Sequence, residues 1–263
     1  MSDLLLSFFL GLVQGLTEFL PISSSAHLLL PSLIFGSNDL GLPFDIAVHA
    51  GTLVAVIYFF RKELILMTKS IFTNDDRLIE HRKLSTYLII ATIPVIFVGL
   101  IFSNIIQQRI FSISSIAISN LFFAVILLFA FLTRKSNKNL FQLTLYGALF
   151  IGIVQCFALI PGASRSGTAI TAALLIGMNL KDSSKFSFML GIPTILGALV
   201  LLIIEIQTLD ITYNSMNLFI GFFVSMIFAF FTIKLFLDFV EKIGMIPFVT
   251  YRIFLAALLF LLI

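Results

Sequence analysis

Cysteine is almost absent from this chain: Cys156 is its only one. A single thiol excludes an internal disulfide and any multi-cysteine metal site, and its place in an apolar run makes it a small buried packing residue. Charge is scarce as well, at 11% of residues, whereas a soluble domain carries about a quarter. Tryptophan is missing and histidine occurs three times, as His27, His49 and His81. No P-loop, dinucleotide fingerprint or zinc-protease motif is present, so ATP-driven transport and the soluble-type cofactors find no support. The amino-terminal MSDLLLSFFLGL has Asp3 and no basic n-region, and is expected to stay on the protein rather than be removed as a signal peptide.

What fills the space is apolar. Hydrophobic residues make up 60% of 263, 31 of them phenylalanine, and the mean hydropathy is +1.14. This is the composition of an all-α polytopic membrane protein, because a backbone in lipid must satisfy its own hydrogen bonds and no ten-residue barrel alternation is visible. Six runs are long enough to cross, near 45–60, 84–105, 113–133, 184–205, 217–238 and 246–263. The net charge of +3 does not indicate nucleic acid, since the basic residues stand in short loops between apolar runs. Arg61, Lys62, Lys69, Arg77, Arg82 and Lys83 place the loop RKELILMTKSIFTNDDRLIEHRK in the cytoplasm. His81, in that loop, reads as a solvated residue. By parity Arg134, Lys135, Lys138, Lys181, Lys185 and Lys242 are inside too, while the outer loops hold little basic charge beyond Arg109.

Two segments do not read as simple spans. Residues 3–35 and 141–178 are apolar and helical in pattern but interrupted by Pro, Gly and Ser. Parity makes each a re-entrant helix, loop and helix. They also resemble each other: GLVQGLTEFLPISSS from Gly11 and GIVQCFALIPGASRSG from Gly152 share an opening, a proline and a serine-rich turn, aligned on the prolines with a one-residue gap. Each is followed by three crossings, an odd number, so halves 1–138 and 139–263 are expected to form an inverted-topology repeat in one membrane domain, with the two tips meeting near the midplane.

The tips carry the chemistry. Helices starting there present free N–H groups and positive dipole ends, an anion site. Ser23, Ser24, Ser25, Ser164 and Ser166 either cap those helices or line the site. Arg165 is costly in an apolar hairpin. It either pairs with Glu18 or grips phosphate oxygens with its planar fork. Gln14 and Glu18 stand at i and i+4, on one helical face, where they could hold a divalent cation such as Mg or Ca that bridges to phosphate; Glu18 could instead be a base. His27 is a candidate base, acid or nucleophile. His49, after Pro43 and Asp45 in PFDIAVHAG, is a weaker candidate near the mouth of the first crossing.

With QGLTEFLPISSSAH (Gln14 to His27) and PGASRSG (Pro161 to Gly167), the sequence resembles the bacterial undecaprenyl-diphosphate phosphatase family, known also for bacitracin resistance, over essentially its whole length. The resemblance implies a plasma-membrane enzyme with its site open to the extracytoplasmic side, which dephosphorylates undecaprenyl diphosphate and so recycles the lipid carrier of cell-wall synthesis. It implies Glu18, Ser24, His27 and Arg165 as catalytic, with Glu18 also a metal ligand, and Gln14, Ser23, Ser25, Ser164, Ser166 and Gly167 around the substrate. Gln14 stands where many members have glutamate, and a neutral amide cannot be a base. Expected partners are the polyprenyl diphosphate and membrane lipid, with a homodimer compatible and no nucleic acid. A transporter or flippase of a lipid phosphate or another anion, built on the same inverted repeat, is the rival reading.

Overall fold

The structure is a computed structural model that describes residues 3–36, 39–73, 75–102, 112–206 and 214–261. Arg109 and residues 207–213 of the other outer loop lie outside the described residues. The regular elements are helical: α1 (Asp3–Thr17), α2 (Ser24–Phe35), α3 (Gly41–Phe59), α4 (Arg61–Phe72), α5 (Ile79–Ile101), α6 (Ile113–Thr133), α7 (Leu145–Gln155), α8 (Arg165–Leu175), α9 (Leu180–Ile206), α10 (Ser215–Ile243) and α11 (Ile246–Phe260). Among the described residues five helices are long and apolar enough to cross a membrane, those built on α3, α5, α6, α9 and α10. The sixth expected span, 246–263, is helical over Ile246–Phe260, 15 residues, or about 22 Å, which falls short of the hydrocarbon core. Large apolar side chains such as Phe122, Phe129 and Phe254 are more than half exposed. In a bilayer that exposure is ordinary, because lipid is as apolar as they are.

The basic stretch after α3, expected as a loop, is mostly helix. Arg61–Phe72 forms α4, and α5 already starts at Ile79. The reason is an apolar stripe on α4 that α5 covers, with Met67 and Ser70 buried. Arg82 of α5 closes the corner: its Nε donates to Ser70 O at 2.7 Å and its Nη2 to Thr73 O. A cation on the last carbonyls of a helix both satisfies them and meets the negative end of the dipole.

Residues 3–35 and 141–178 each form a helix, a break and a second helix. The two breaks share their geometry. Ser23 and Ser164 both sit at φ 72°, a region that non-glycine residues enter at a cost of about 1–3 kcal/mol and that clusters at functional sites. Ser23 Oγ lies 3.3 Å from Ser25 Oγ, and Ser164 Oγ lies 3.2 Å from Ser166 Oγ. These pairs correct the alignment made on the prolines. Ser23 and Ser164 are the equivalent residues, each nine positions after its glutamine (Gln14 and Gln155), and the gap disappears. Ser24 then corresponds to Arg165, and Pro21 to Gly162. The prolines mislead because each tip needs some residue that disrupts the helix, and different residues meet that need.

Packing follows the same pairing. α1 lies on α10 and α7 on α5; α3 packs on α10 and α9 on α5; α3 meets α9, and α6 meets α11. Matching glycines permit the first two contacts. A Cβ on Gly11 would come 2.9 Å from Gly221 O, and one on Gly152 would come 2.8 Å from Ala91 Cα. Small residues at such contacts let helix backbones approach closely in lipid. We expect Gly152→Val to force α7 off α5 and to cost about 1–3 kcal/mol. Unfolding in an SDS titration of the purified protein measures the loss, and an unchanged midpoint would show that this contact is loose.

Candidate active site

The site grows from the end of α1. Glu18 N–H donates to Gln14 O at 3.0 Å, so the helical turn continues through the glutamate and the i, i+4 pair does share a face. Gln14 Nε2 donates to Glu18 Oε2 at 2.9 Å. Both side chains are buried. The chain then turns at Pro21 and starts α2 at Ser24, whose hydroxyl points back and donates to the same Oε2 at 2.7 Å.

The second tip supplies the counter-charge. Arg165 opens α8, and its Nη2 donates to Glu18 Oε1 at 3.1 Å with only 11% of its side chain exposed. Its Nη1 donates to Ser187 O at 3.1 Å, and its Nε is buried without an acceptor among the described residues. The guanidinium lies where α9 has no side chain opposite it: a Cβ on Gly191 would come 2.8 Å from Arg165 Cζ, and the guanidinium would have to shift. Ser166 Oγ donates to Leu20 O at 2.9 Å, a second tie between the tips. Ser164 caps α8 by accepting from Gly167 N–H at 3.1 Å. That uses the Gly167 amide, while helix geometry leaves the N–H groups of Arg165 and Ser166, and those that begin α2, without intrahelical acceptors.

The structure therefore gathers Gln14, Glu18, Ser24, Arg165 and Ser166 into one cluster, with the two serine pairs framing it. His27 belongs to a different set. Its Nδ1 is 2.7 Å from Ser23 O, and a carbonyl can only accept, so Nδ1 carries a proton and donates. Its Nε2 is hydrogen-bonded to Tyr251 Oη at 2.5 Å, and the two rings are nearly parallel. Both imidazole nitrogens are thus engaged away from Glu18. His49, a weaker candidate by sequence, lies closer: its Nε2 is 3.9 Å from Glu18 Oε2.

Sequence reasoning passed over Arg252. Its side chain is fully buried, and it reaches both breaks. Nη2 donates to Gly162 O at 2.8 Å and to Ala163 O at 3.2 Å, Nη1 to Pro21 O at 3.4 Å, and Nε to Asn120 Oδ1 at 2.8 Å. Asn120 Nδ2 returns a bond to Arg252 O at 3.0 Å, and Ser119 Oγ donates to Pro161 O. Every one of these acceptors is neutral. An arginine alone in IPFVTYRIFLAALL was a visible signal, since a charge in an apolar helix faces the bundle interior and a polar partner. Its targets are backbone carbonyls, which no sequence pattern marks.

The comparisons with known proteins agree with one another. The model of the family described as bacitracin resistance protein BacA matches residues 7–258. The undecaprenyl-diphosphatase of Saccharophagus degradans is 45% identical over 265 residues, covering 99% of this chain and 98% of the relative. That of Alcanivorax borkumensis is 44% identical, covering 95% and 96%. Undecaprenyl-diphosphatase 1 of Pseudoalteromonas translucida is 41% identical, covering 94% and 93%.

Removing the Arg252 fork leaves buried carbonyls on both tips without donors, at about 1–3 kcal/mol each. Arg252→Met is expected to destabilise the protein by about 2 kcal/mol or more, and Asn120→Ala by less. SDS titration ranks the two, and the reverse order would mean that Asn120, not the guanidinium, holds the tips.

Proposed function

The chain belongs to the bacitracin resistance protein BacA family, and from that membership we propose that it is a multi-pass membrane enzyme hydrolysing undecaprenyl diphosphate to undecaprenyl phosphate and inorganic phosphate. Its role is then to return the lipid carrier to cell-wall synthesis. One observation carries the reading: Ser24 Oγ donates at 2.7 Å to a carboxylate whose other oxygen is held by an arginine from the opposite tip. A nucleophile on a base, and a cation beside both, is what attack on a phosphate requires.

In this reading the diphosphate head enters between the tips, and Arg165 turns its free donors to the terminal phosphate while the N–H groups that start α2 and α8 complete the cradle. Ser24 Oγ, or a water held in its place, forms a new bond to the terminal phosphorus as its proton passes to Glu18 and the bridging P–O bond breaks. Undecaprenyl phosphate leaves. A phosphoserine, if formed, is then cleared by water. The electrostatic cradle supplies most of the rate. His27 acts at a distance, holding α2 to α11 through Tyr251.

Gln14 Oε1 is buried with no donor among the described residues, an oxygen suited to a hard cation, and Glu18 beside it supplies a carboxylate. The two could hold Mg or Ca, which would neutralise charge on the diphosphate. One carboxylate, already paired with Arg165, is a thin ligand set, so the phosphate oxygens would provide much of the coordination.

Six spans, the short α11 being the sixth where the bilayer thins around it, and two re-entrant hairpins, in inverted repeats 1–138 and 139–263, are the architecture we infer around the site. The shared tip geometry and the exchange-symmetric helix pairing support it. The basic loops support a plasma-membrane orientation with the site open outward, and a homodimer is compatible with it. The same meeting of two broken helices favours a carrier of lipid phosphate as the second reading.

In detergent, where there are no sides to transport between, the wild-type protein is expected to release phosphate from undecaprenyl diphosphate. Arg165→Ala and Glu18→Gln should each lose about a hundredfold or more in kcat. Lipid binding without phosphate release would hand the site to the carrier reading. Chelation should abolish release and added Mg or Ca restore it; full activity in chelator would remove the cation.

A further inference from the structure

The basic helix α4 has an outward face that the packing of the bundle does not explain. It begins at Arg61, directly after the apolar span of α3. Its far end is held to the start of the next span: Arg82 bonds to Ser70 O and Thr73 O and stands two residues before the apolar run that opens at Leu84. Both ends of α4 therefore sit at the edge of a span, so its axis runs along the membrane boundary. By the positive-inside rule that boundary is the cytoplasmic one.

One face of α4 packs on α5 through Met67 and Ser70. At 3.6 residues per turn the opposite face carries Arg61, Ile65 and Phe72, with Lys62 and Lys69 along one flank. Ile65 is 53% exposed and Phe72 83%. Such a face is costly in water. It suits an interface, where apolar side chains enter the acyl boundary and the cations reach the headgroups.

The cations of this segment divide into two kinds. Arg77 pairs with Asp75 at 2.8 Å, and Arg82 is occupied by carbonyls. Arg61, Lys62 and Lys69 have no carboxylate within ion-pair distance among the described residues. Arg61 lies 4.3 Å over the Tyr58 ring and gives one donor to Tyr58 O at 2.7 Å, which orients the guanidinium. Its fork has further donors for a ligand. Between Arg61 and Lys69 runs a groove of about 330 Å³, lined also by Ile57, Leu64, Ile65 and Thr68. Ile57 belongs to the span of α3, so the groove reaches hydrocarbon depth at one end and keeps its cations at the boundary. An apolar channel with a cationic rim complements a lipid with an anionic head.

We propose that the junction of α3 and α4 is a binding site for an acidic phospholipid of the cytoplasmic leaflet. The phosphate lies between Arg61 and Lys69, with Lys62 adding to the field, and an acyl chain runs past Ile65 and Leu64 to Ile57. A zwitterionic lipid fills the same groove but brings no net charge to the cations, and each cation favours the acidic lipid by about fivefold. The site stands twelve residues, about 18 Å of helix, from His49 at the tips. It goes beyond the phosphatase reading and does not rest on it.

The chain has no tryptophan, so Ile65→Trp places a single fluorophore in the groove. The protein is reconstituted in phosphatidylcholine vesicles that carry a small fraction of either dibromo-phosphatidylglycerol or dibromo-phosphatidylcholine, and quenching by the brominated chains reports which lipid occupies the site. The acidic lipid is expected to be preferred by at least about fivefold. Adding Arg61→Gln, Lys62→Gln and Lys69→Gln should bring the preference to within about twofold of unity. Phe254→Trp, on a lipid-facing position of α11, which packs on α6, should show no preference. Phe72→Trp reports from the same face should Ile65→Trp fail to fold. Equal quenching by the two lipids would overturn the site, as would the same preference at Phe254→Trp, which would make the attraction diffuse. A preference that survives the three glutamines would overturn the role of the cations. Quenching by neither lipid would place α4 in water and leave its face to a soluble partner.

Discussion

Backbone that leaves a helix inside a membrane has to find its hydrogen-bond partners within the protein, and here one guanidinium reaches both places where that happens. Arg252 comes from α11 and donates to Pro21 O in the first break and to Gly162 O and Ala163 O in the second. No carboxylate is among its partners, so the charge is spread over amide and carbonyl dipoles. Gly167 and Gly162 keep the space clear, since a Cβ on Gly167 would stand 3.3 Å from Arg252 Nη1 and one on Gly162 would lie 2.7 Å from Ile116 O.

Once the breaks are pinned, the ion pair between Glu18 and Arg165 becomes a matter of geometry. Each group is buried where it alone would be costly. Together they are neutral, and the pair can open toward a substrate that brings its own negative charge. In the phosphatase reading proposed above, a diphosphate that draws Arg165 away from Glu18 would leave the carboxylate with Ser24 and Gln14, a better base for having lost its cation, and binding and activation would be one rearrangement. The same arrangement would serve a carrier, which needs only the first half of it.

The two tips carry different side chains on similar backbones. Both use a serine at φ 72° with a second serine two residues on. What differs is the side chain brought up to each tip: α9 sets a glycine against Arg165, and α3 brings His49 Nε2 to 3.9 Å from Glu18 Oε2.

The sequence alone established the membrane class, because 60% apolar residues with 11% charge cannot fold as a soluble domain. It also showed two broken segments and the short list of polar residues within them, since each such residue in an apolar run is conspicuous. The Gln14 and Glu18 face was legible because helical spacing is local. Tertiary structure decided everything that depends on what lies across the bundle. His27 turned toward Tyr251, His49 came near Glu18, α4 folded where a loop was expected, and Arg252 found its carbonyls. Backbone acceptors carry no sequence signature, and a side chain's partner two hundred residues away is set by packing. The chain specified which groups must be satisfied, and the fold chose their partners.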